Sequence, residues 1–362
     1  MKADKMTKFF FIIALHVNCF NEVIRSSGMR KTAGLPTVNK PETLDHNGPL
    51  GVTEPFANGD GLAKAAGVAD TVRPSTFPSG GILASSMNAD LAREVGEMYG
   101  ENALWAGYDG IYGPALNLHR SQYSFRNPEY YSEDGFLTGK TAAVQVTGIQ
   151  SKGVYAYIKH FALNDQETNR YGLSTWLNEQ SFRELYLEAF QIAIEEGDAH
   201  AMMSSYNRVG TSVAGASSNL LTDWLRGEEG FDGFVVTDMY QLQSYASLTF
   251  YQGLLRMPYG VYCGNDLVDG DIASANQFEL YRTGYGELAW RMRESAKRIL
   301  YTVVNSAGMN GIDNNTLFVP VLTWWQKTLI ALDVVLGVFT AASLGFLCYI
   351  FYTNNIKKKE QN

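Results

Sequence analysis

The residues able to do chemistry in this chain sit at the ends of apolar runs. Asp238 follows the Val and Phe run of "GFDGFVVTDMYQ", Gly230 to Gln241. Lys159 and His160 close "VYAYI", and Ser205, Tyr206 and Asn207 close "AMMS". A lone carboxylate after a buried strand has two readings. It caps the following helix by accepting backbone N–H bonds, or it reacts with a bound molecule. Lys159 and His160 are either a solvated pair or donors for a polar ligand. The three cysteines, Cys19, Cys263 and Cys348, are far apart, and the five histidines are scattered. Neither a disulfide framework nor a metal site is expected, and no cofactor is implied.

The elements that must position these groups alternate. "MNADLAREVGEMYGENALWAG" has an Asn/Asp start and helical apolar spacing, and "YDGIYGPALNLH" reads as a short strand between turn residues. A helix at "FLTGKTAAVQVTGIQSKG" ends at Gly153, and the strand "VYAYIKHFAL" follows. The helix "SFRELYLEAFQIAIEEG" precedes the strand "AHAMMSSYN". The helix "NLLTDWLRGEEG" precedes "FDGFVVTD", and "ELAWRMRESAKRILYTVVNS" is a long final helix. Residues 30 to 80, rich in Pro, Gly and Asn, read as loops around short strands. Strands alternating with helices imply a parallel sheet. With polar groups repeatedly just past the strand ends, the expected fold is α/β, a (β/α)8 TIM-like barrel whose reactive groups converge on the C-terminal face. No Gly-x-Gly-x-x-Gly follows the first strand, so a dinucleotide fold has no support.

The chain has 362 residues with 46% hydrophobic content, enough for one large core or two smaller ones. A net charge of -8, a pI near 5.2 and no Lys/Arg-rich stripe argue against a nucleic-acid partner. From Val334 to Tyr352 the chain is continuously uncharged and long enough to cross a bilayer, and Trp324 and Trp325 precede it. Lys357, Lys358 and Lys359 follow it. The positive-inside rule then puts the C-terminus in the cytoplasm and the globular part outside, at the cell membrane in a single pass. The expected division is an N-terminal segment over residues 1–29, a barrel over 30–308, a linker over 309–327, a transmembrane helix over 328–352 and a basic tail over 353–362. "KFFFIIALHVNCF" in the first segment reads equally as a cleaved signal, a poor signal or a buried strand.

Four blocks, in order and with matching spacing, resemble glycoside hydrolase family 3 over roughly residues 30 to 305. "GPALNLHRSQYSFRNPEYYSEDGFLTGK" is similar to the family's GP-x-x-N-I-H-R and R-N-x-E-Y-x-S-E-D-P segment, and "GVYAYIKHFALNDQE" to its strand ending in Lys-His-Phe. "AMMSSYN" resembles its Met-Ser-x-Tyr-Asn, and "LLTDWLRGEEGFDGFVVTDMY" the run ending in Ser-Asp-Trp. The resemblance implies a retaining β-glycosidase, most often a β-glucosidase, acting on β-linked oligosaccharides or aryl and alkyl glycosides. Asp238 would be its nucleophile, and Arg126, Lys159 and His160 would bind the sugar, with Tyr206 placed near the nucleophile. Met239 stands where the family has a sugar-lining Trp. In "LDHNGPLGV" either Asp45 or Asn47 could occupy the family's sugar-gripping Asp position; Asp45 is preferred, because a carboxylate accepts two hydroxyl bonds. Arg126 is alternatively an ion-pair partner of Glu129, Glu133 or Asp134, and "GNDLVDGDIAS" is read as structural.

A retaining enzyme also needs an acid/base carboxyl about 5 to 5.5 Å from the nucleophile. The family usually supplies it from an α/β-sandwich domain, for which this chain has no segment after the barrel. The loop "NDQETNRYG" holds no His, and neither Glu167 nor Glu179 lies in a recognisable motif. The sandwich is therefore expected in trans or in a longer parent chain. The alternative is a membrane-anchored carbohydrate-binding relative without turnover.

Overall fold

The alternation of apolar and amphipathic segments builds a curled parallel sheet flanked by helices. The structure, a computed structural model, describes residues 30–35, 40–53, 61–239, 257–270, 286–309 and 324–360. The expectations for residues 1–29 and for linker residues 310–323 lie outside this set. Strands β1 (Lys31–Thr32) and β2 (Thr43–Asn47) and helices α1 (Leu62–Ala65) and α2 (Gly80–Ser85) occupy the Pro- and Gly-rich start. Then come α3 (Ala89–Ala106), β3 (Gly110–Tyr112), α4 (Gly135–Ser151), β4 (Tyr155–Phe161) and β5 (Ser174–Thr175). A helical run from Glu179 takes π geometry over Phe182–Leu187 and continues as α5 (Glu188–Glu195). Strands β6 (Ala201–Ser204), β7 (Arg208–Val209) and β8 (Ser212–Val213) lead to a π-helical segment, Asn219–Glu228, and β9 (Phe234–Thr237). Helices α6 (Met257–Cys263), α7 (Gly286–Val304) and α8 (Trp324–Glu360) complete the order.

The helix boundaries follow the cap residues. Asn88 accepts the Leu91 N–H at the start of α3, and Gly107 ends that helix at φ +88°. Asp134 accepts the Leu137 N–H at the start of α4, so its role is a cap and not an ion pair with Arg126. Helices α3 and α4 pack closely because Gly96 and Gly148 each face the other helix's backbone where a Cβ would collide.

The main sheet runs β1-β2-β3-β4-β6-β9. It is parallel from β2 to β9, and a parallel bridge from Val236 to Leu267 extends it by one more segment. The fold is thus barrel-like, but among the described residues it falls short of the expected eight parallel strands. Strand β1 is antiparallel to β2, because the short connection between them leaves no room for a parallel crossover. The two sheet edges meet: the Arg30 N–H donates to Asp269 at 2.7 Å, and the Arg30 carbonyl accepts from the Asp45 N–H at 2.8 Å.

Strand alternation separates two cores. Ile111, Ala156, Ile158, Met202 and Val235 face the helices, whereas Tyr112, Tyr155, Tyr157, Met203, Phe234 and Val236 fill the inside of the curl. Tyr157 meets Tyr112, Tyr155 and Phe234 edge to face, with ring centroids 4.8, 5.4 and 5.3 Å away. Each such pair contributes roughly 0.5–1.5 kcal/mol beyond its burial. Because β2, β3, β4, β6 and β9 run parallel, their last residues, Asn47, Tyr112, Phe161, Ser204 and Thr237, point toward the same end of the sheet, with the last three in register.

The chain divides into two compact units, Met1–Thr316 and Leu317–Asn362. In the second, Lys327–Phe351 within α8 has a mean hydropathy of 2.2 over its apolar window and is, by length and composition, able to cross a membrane.

Candidate active site

Four segments deliver the polar cluster at the C-terminal end of the sheet. Strand β4 carries Lys159 and His160 as its fifth and sixth residues, both almost fully buried. The 3-10 turn Asn127–Glu129 begins at Arg126, with Pro128 fixing its first turn. The loop after β4 contributes Glu167 and Arg170, and Asp238 lies one residue past β9.

The Arg126 guanidinium is held on two sides. Its Nε and Nη2 bond both oxygens of Glu129 at 2.9 and 2.8 Å, its Nη1 reaches Glu167 at 3.4 Å, and Nη2 lies 2.9 Å from His160 Nε2. Arg126 is therefore the ion-pair partner of Glu129, and it also stands in the polar cluster. Asn117 fixes His160. Its Oδ1 accepts from the His160 backbone N–H at 2.9 Å and from Nδ1 at 3.2 Å, while its Nδ2 donates to the His160 carbonyl at 3.0 Å. That network assigns the ring proton to Nδ1 and leaves the Nε2 lone pair to accept from Arg126. Burial, together with the charges of Arg126, Lys159 and Arg170, drives the His160 pKa well below its ordinary value, so the ring is neutral.

Asp238 faces this group. Its Oδ2 is 4.0 Å from His160 Nε2, and its Oδ1 accepts the Met239 N–H at 2.8 Å. Its own N–H donates to the Ser204 carbonyl at 3.1 Å, which ties the position to β6. Tyr206 donates its hydroxyl to the Met239 carbonyl at 2.5 Å, so it braces the backbone beside Asp238. Met239 itself is half-buried against the inner core. Lys159 lies 4.0 Å from Glu129, and burial pulls its pKa down to about 8 despite the nearby carboxylates.

Asp45 is not in this cluster, which corrects its assignment as a sugar ligand. It is the middle residue of β2, fully buried, and pairs in register with Gly110. The Tyr155 and Tyr157 hydroxyls donate to its two oxygens at 2.8 and 2.6 Å, which binds the carboxyl into the inner core. Burial pushes its pKa up to about 7, with the tyrosine bonds opposing. The exposed residue at the C-terminal end of β2 is Asn47. In "GNDLVDG", buried Asp266 bridges Arg226 and Arg298 at 2.8 and 3.0 Å, a structural role.

Three members were missed at the level of sequence. Asn117 lies inside a motif that gives no hint of its partner, and Glu129 reads from sequence as an ion-pair partner alone. Arg170 lies in the loop "NDQETNRYG", where its i,i+3 spacing from Glu167 is the one available signal. It forms an ion pair with Glu167 at 2.6 Å and lies over the Tyr206 ring at 4.6 Å. The two acids considered as proton donors are both engaged. Glu167 lies between Arg126 and Arg170, and Glu179 pairs with Arg183 on an exposed helix start. Among the described residues, Asp269 is a further buried carboxyl in electrostatic reach of Asp238. Burial first, and then that charge, push its pKa up to about 6.

This arrangement offers an anchored carboxylate opposite three cations and a neutral imidazole, with directional donors suited to hydroxyl groups.

Comparison with known proteins identifies the family. The model of the glycosyl hydrolase family 3 N terminal domain matches residues 62–257. Beta-glucosidase A of Butyrivibrio fibrisolvens is 42% identical over 216 residues, 59% of this chain and 25% of that protein. The exo-alpha-(1->6)-L-arabinopyranosidase of Bifidobacterium longum is 36% identical over 205 residues, 57% of this chain and 27% of its own length. The chain thus spans about a quarter of the curated relatives it matches. The solved structure of beta-glucosidase 3B from Thermotoga neapolitana in complex with glucose superposes with a TM-score of 0.69 at 29% identity, covering 84% of this chain and 43% of that one.

Proposed function

Because this chain belongs to glycosyl hydrolase family 3, we propose that it contributes the nucleophile and the sugar-binding face of a retaining β-glycosidase, with terminal β-glucosyl residues as substrate. The observation that carries the reading is Asp238, one residue past β9 and 4.0 Å from His160, opposite Arg126 and Lys159. In the first step an Asp238 oxygen attacks the anomeric carbon, the bond to the leaving-group oxygen breaks, and an acid protonates that oxygen. Water then displaces Asp238 with the help of the same residue acting as base. Arg126, Lys159, His160 and Arg170 hold the sugar hydroxyls, and Tyr206 braces the Asp238 backbone. The acid/base comes from an α/β-sandwich domain in trans or in a longer parent chain, in keeping with the share of the relatives that this chain spans.

A 2-deoxy-2-fluoroglucoside with a dinitrophenyl leaving group tests the first step, since the activated leaving group lessens the need for an acid. Mass spectrometry is expected to place the glycosyl adduct on Asp238; folded protein without an adduct refutes the reading. The engagement of Glu167 by two arginines favours one second reading, a sugar-binding relative without turnover. That reading predicts glucose binding that survives Asp238→Ala.

We further propose that Lys327–Phe351 anchors the protein in the cell membrane, with the barrel outside and the Lys-rich tail in the cytoplasm. The protein should then stay with membranes through alkaline extraction, and release into the supernatant would rule the anchor out.

A further inference from the structure

Glu129 has no assigned part in the chemistry, yet it touches two of the cations that face Asp238. Its oxygens lie 2.9 and 2.8 Å from Arg126 Nε and Nη2, and the second is also 4.0 Å from Lys159 Nζ. Lys159 is almost completely buried, an environment that favours the neutral amine. The charges that face it come from three segments. Glu129 and Arg126 lie on the 3-10 turn, Asp238 after β9, and Asp269 on the stretch after α6. Arg126 opposes the ammonium and the three carboxyl groups favour it, with Glu129 the largest favourable influence.

We propose that Glu129 is a positioning residue that bridges Arg126 and Lys159, keeping Lys159 charged and both cations aimed at the space in front of Asp238. The consequence for glycoside chemistry rests on the reading of Asp238 as nucleophile; the charge state of Lys159 does not. Glu129 is suited to the task because it stays ionised. Burial alone would raise its pKa, but the Arg126 hydrogen bonds and the charges of Lys159, Arg126 and Arg170 outweigh that and hold it below the ordinary carboxylate range. The short i,i+3 link to Arg126 also fixes the carboxylate on the turn that carries its partner.

The test is the titration of Lys159, followed by NMR of the full chain labelled with ε-13C-lysine in detergent and assigned with Lys159→Arg. The wild-type midpoint is expected near 8. In Glu129→Gln it should fall by at least about one pH unit, the effect of losing an opposite charge at this range. Glu129→Asp keeps the charge on a shorter arm and should titrate between the two, which preserves the test if the Gln variant does not fold. A midpoint unchanged from wild type in either folded variant overturns the proposal. Labelling of Asp238 by the fluoroglucoside supplies the catalytic arm, and its alkaline limb should move down in parallel. If wild type does not label, the reading of Asp238 fails, and the NMR titration still decides the role of Glu129.

Discussion

Asp45 and Asp238 belong to the same parallel sheet, one inside β2 and the other one residue beyond β9. Position along the strands separates their fates. Asp45 points into the curl at the level of Gly110, where two tyrosine hydroxyls meet its oxygens and Lys40, Asp109 and Asp269 act on it or its neighbours. Asp238 stands past the last inward layer, where Arg126, Lys159 and Arg170 lie within electrostatic reach and one oxygen faces His160. Hydroxyl donors turn the first carboxyl into part of the interior, while cations and a neutral ring leave the second opposite groups that can hold a substrate. A strand-end position, not the residue type, separates a structural acid from a candidate nucleophile.

The largest expected effect tests that separation directly. Asp238→Asn should abolish fluoroglucoside labelling and reduce any hydrolysis on the order of 10⁴-fold or more, as loss of a reacting group does. Among the described residues its side chain accepts the Met239 N–H, a bond that the Asn oxygen keeps, so the variant should fold. Asp45→Asn should still label. Equal loss in both variants, measured on folded protein, would erase the distinction.

How far the sequence led follows from the same register. The strand and helix order was legible because apolar runs and caps such as Asn88 and Asp134 mark boundaries locally. The family was legible because four blocks kept their order. The end of β2 was not: nothing in "LDHNGPLGV" says that the strand runs on to Asn47, so the preference for Asp45 over Asn47 rested on the accepting capacity of a carboxylate alone. Arg170 was hidden because its partners, Glu167 and Tyr206, come together only when the loop after β4 folds over β6. The antiparallel β1 was equally out of reach, since hydrogen-bond direction in a two-residue strand leaves no pattern.

The interior acid carries a pH signature. Its pKa near 7 in the folded protein lies above the ordinary 3.8, so between those values the folded state keeps a proton that the unfolded chain has released. Stability from this group is complete below about 3.8, falls as pH rises through the window and is gone above about 7. The whole span corresponds to roughly 4 kcal/mol. Asp109 and Asp269, pushed up to about 6 by burial, act in the same direction. Chemical denaturation of the full chain in non-ionic detergent at pH 4 and pH 8 should therefore show a smaller decline in Asp45→Asn than in wild type. An identical decline would mean that Asp45 does not hold its proton in the fold.

The smallest effect asks whether the polar end of the sheet is held as firmly as its interior. Asn117 meets His160 through three bonds, two to its backbone and one to Nδ1, and it is buried. Because the backbone pair fixes which end of the amide accepts, the ring must carry its proton on Nδ1 and turn the Nε2 lone pair toward Arg126 at 2.9 Å. Asn117→Ala leaves these groups without their partner and should cost roughly 1–3 kcal/mol of stability. It should also release the tautomer, which 15N NMR of the imidazole reads as a loss of the pure Nδ1–H form, and slow Asp238 labelling beyond what the stability loss explains. Packing alone would keep the tautomer, as the tyrosine layer keeps Asp45 in place. A variant that holds both the Nδ1–H signature and the wild-type labelling rate would make His160 a packed interior residue like Asp45, and the contrast between the two regions would then rest on Asp238 and the cations alone.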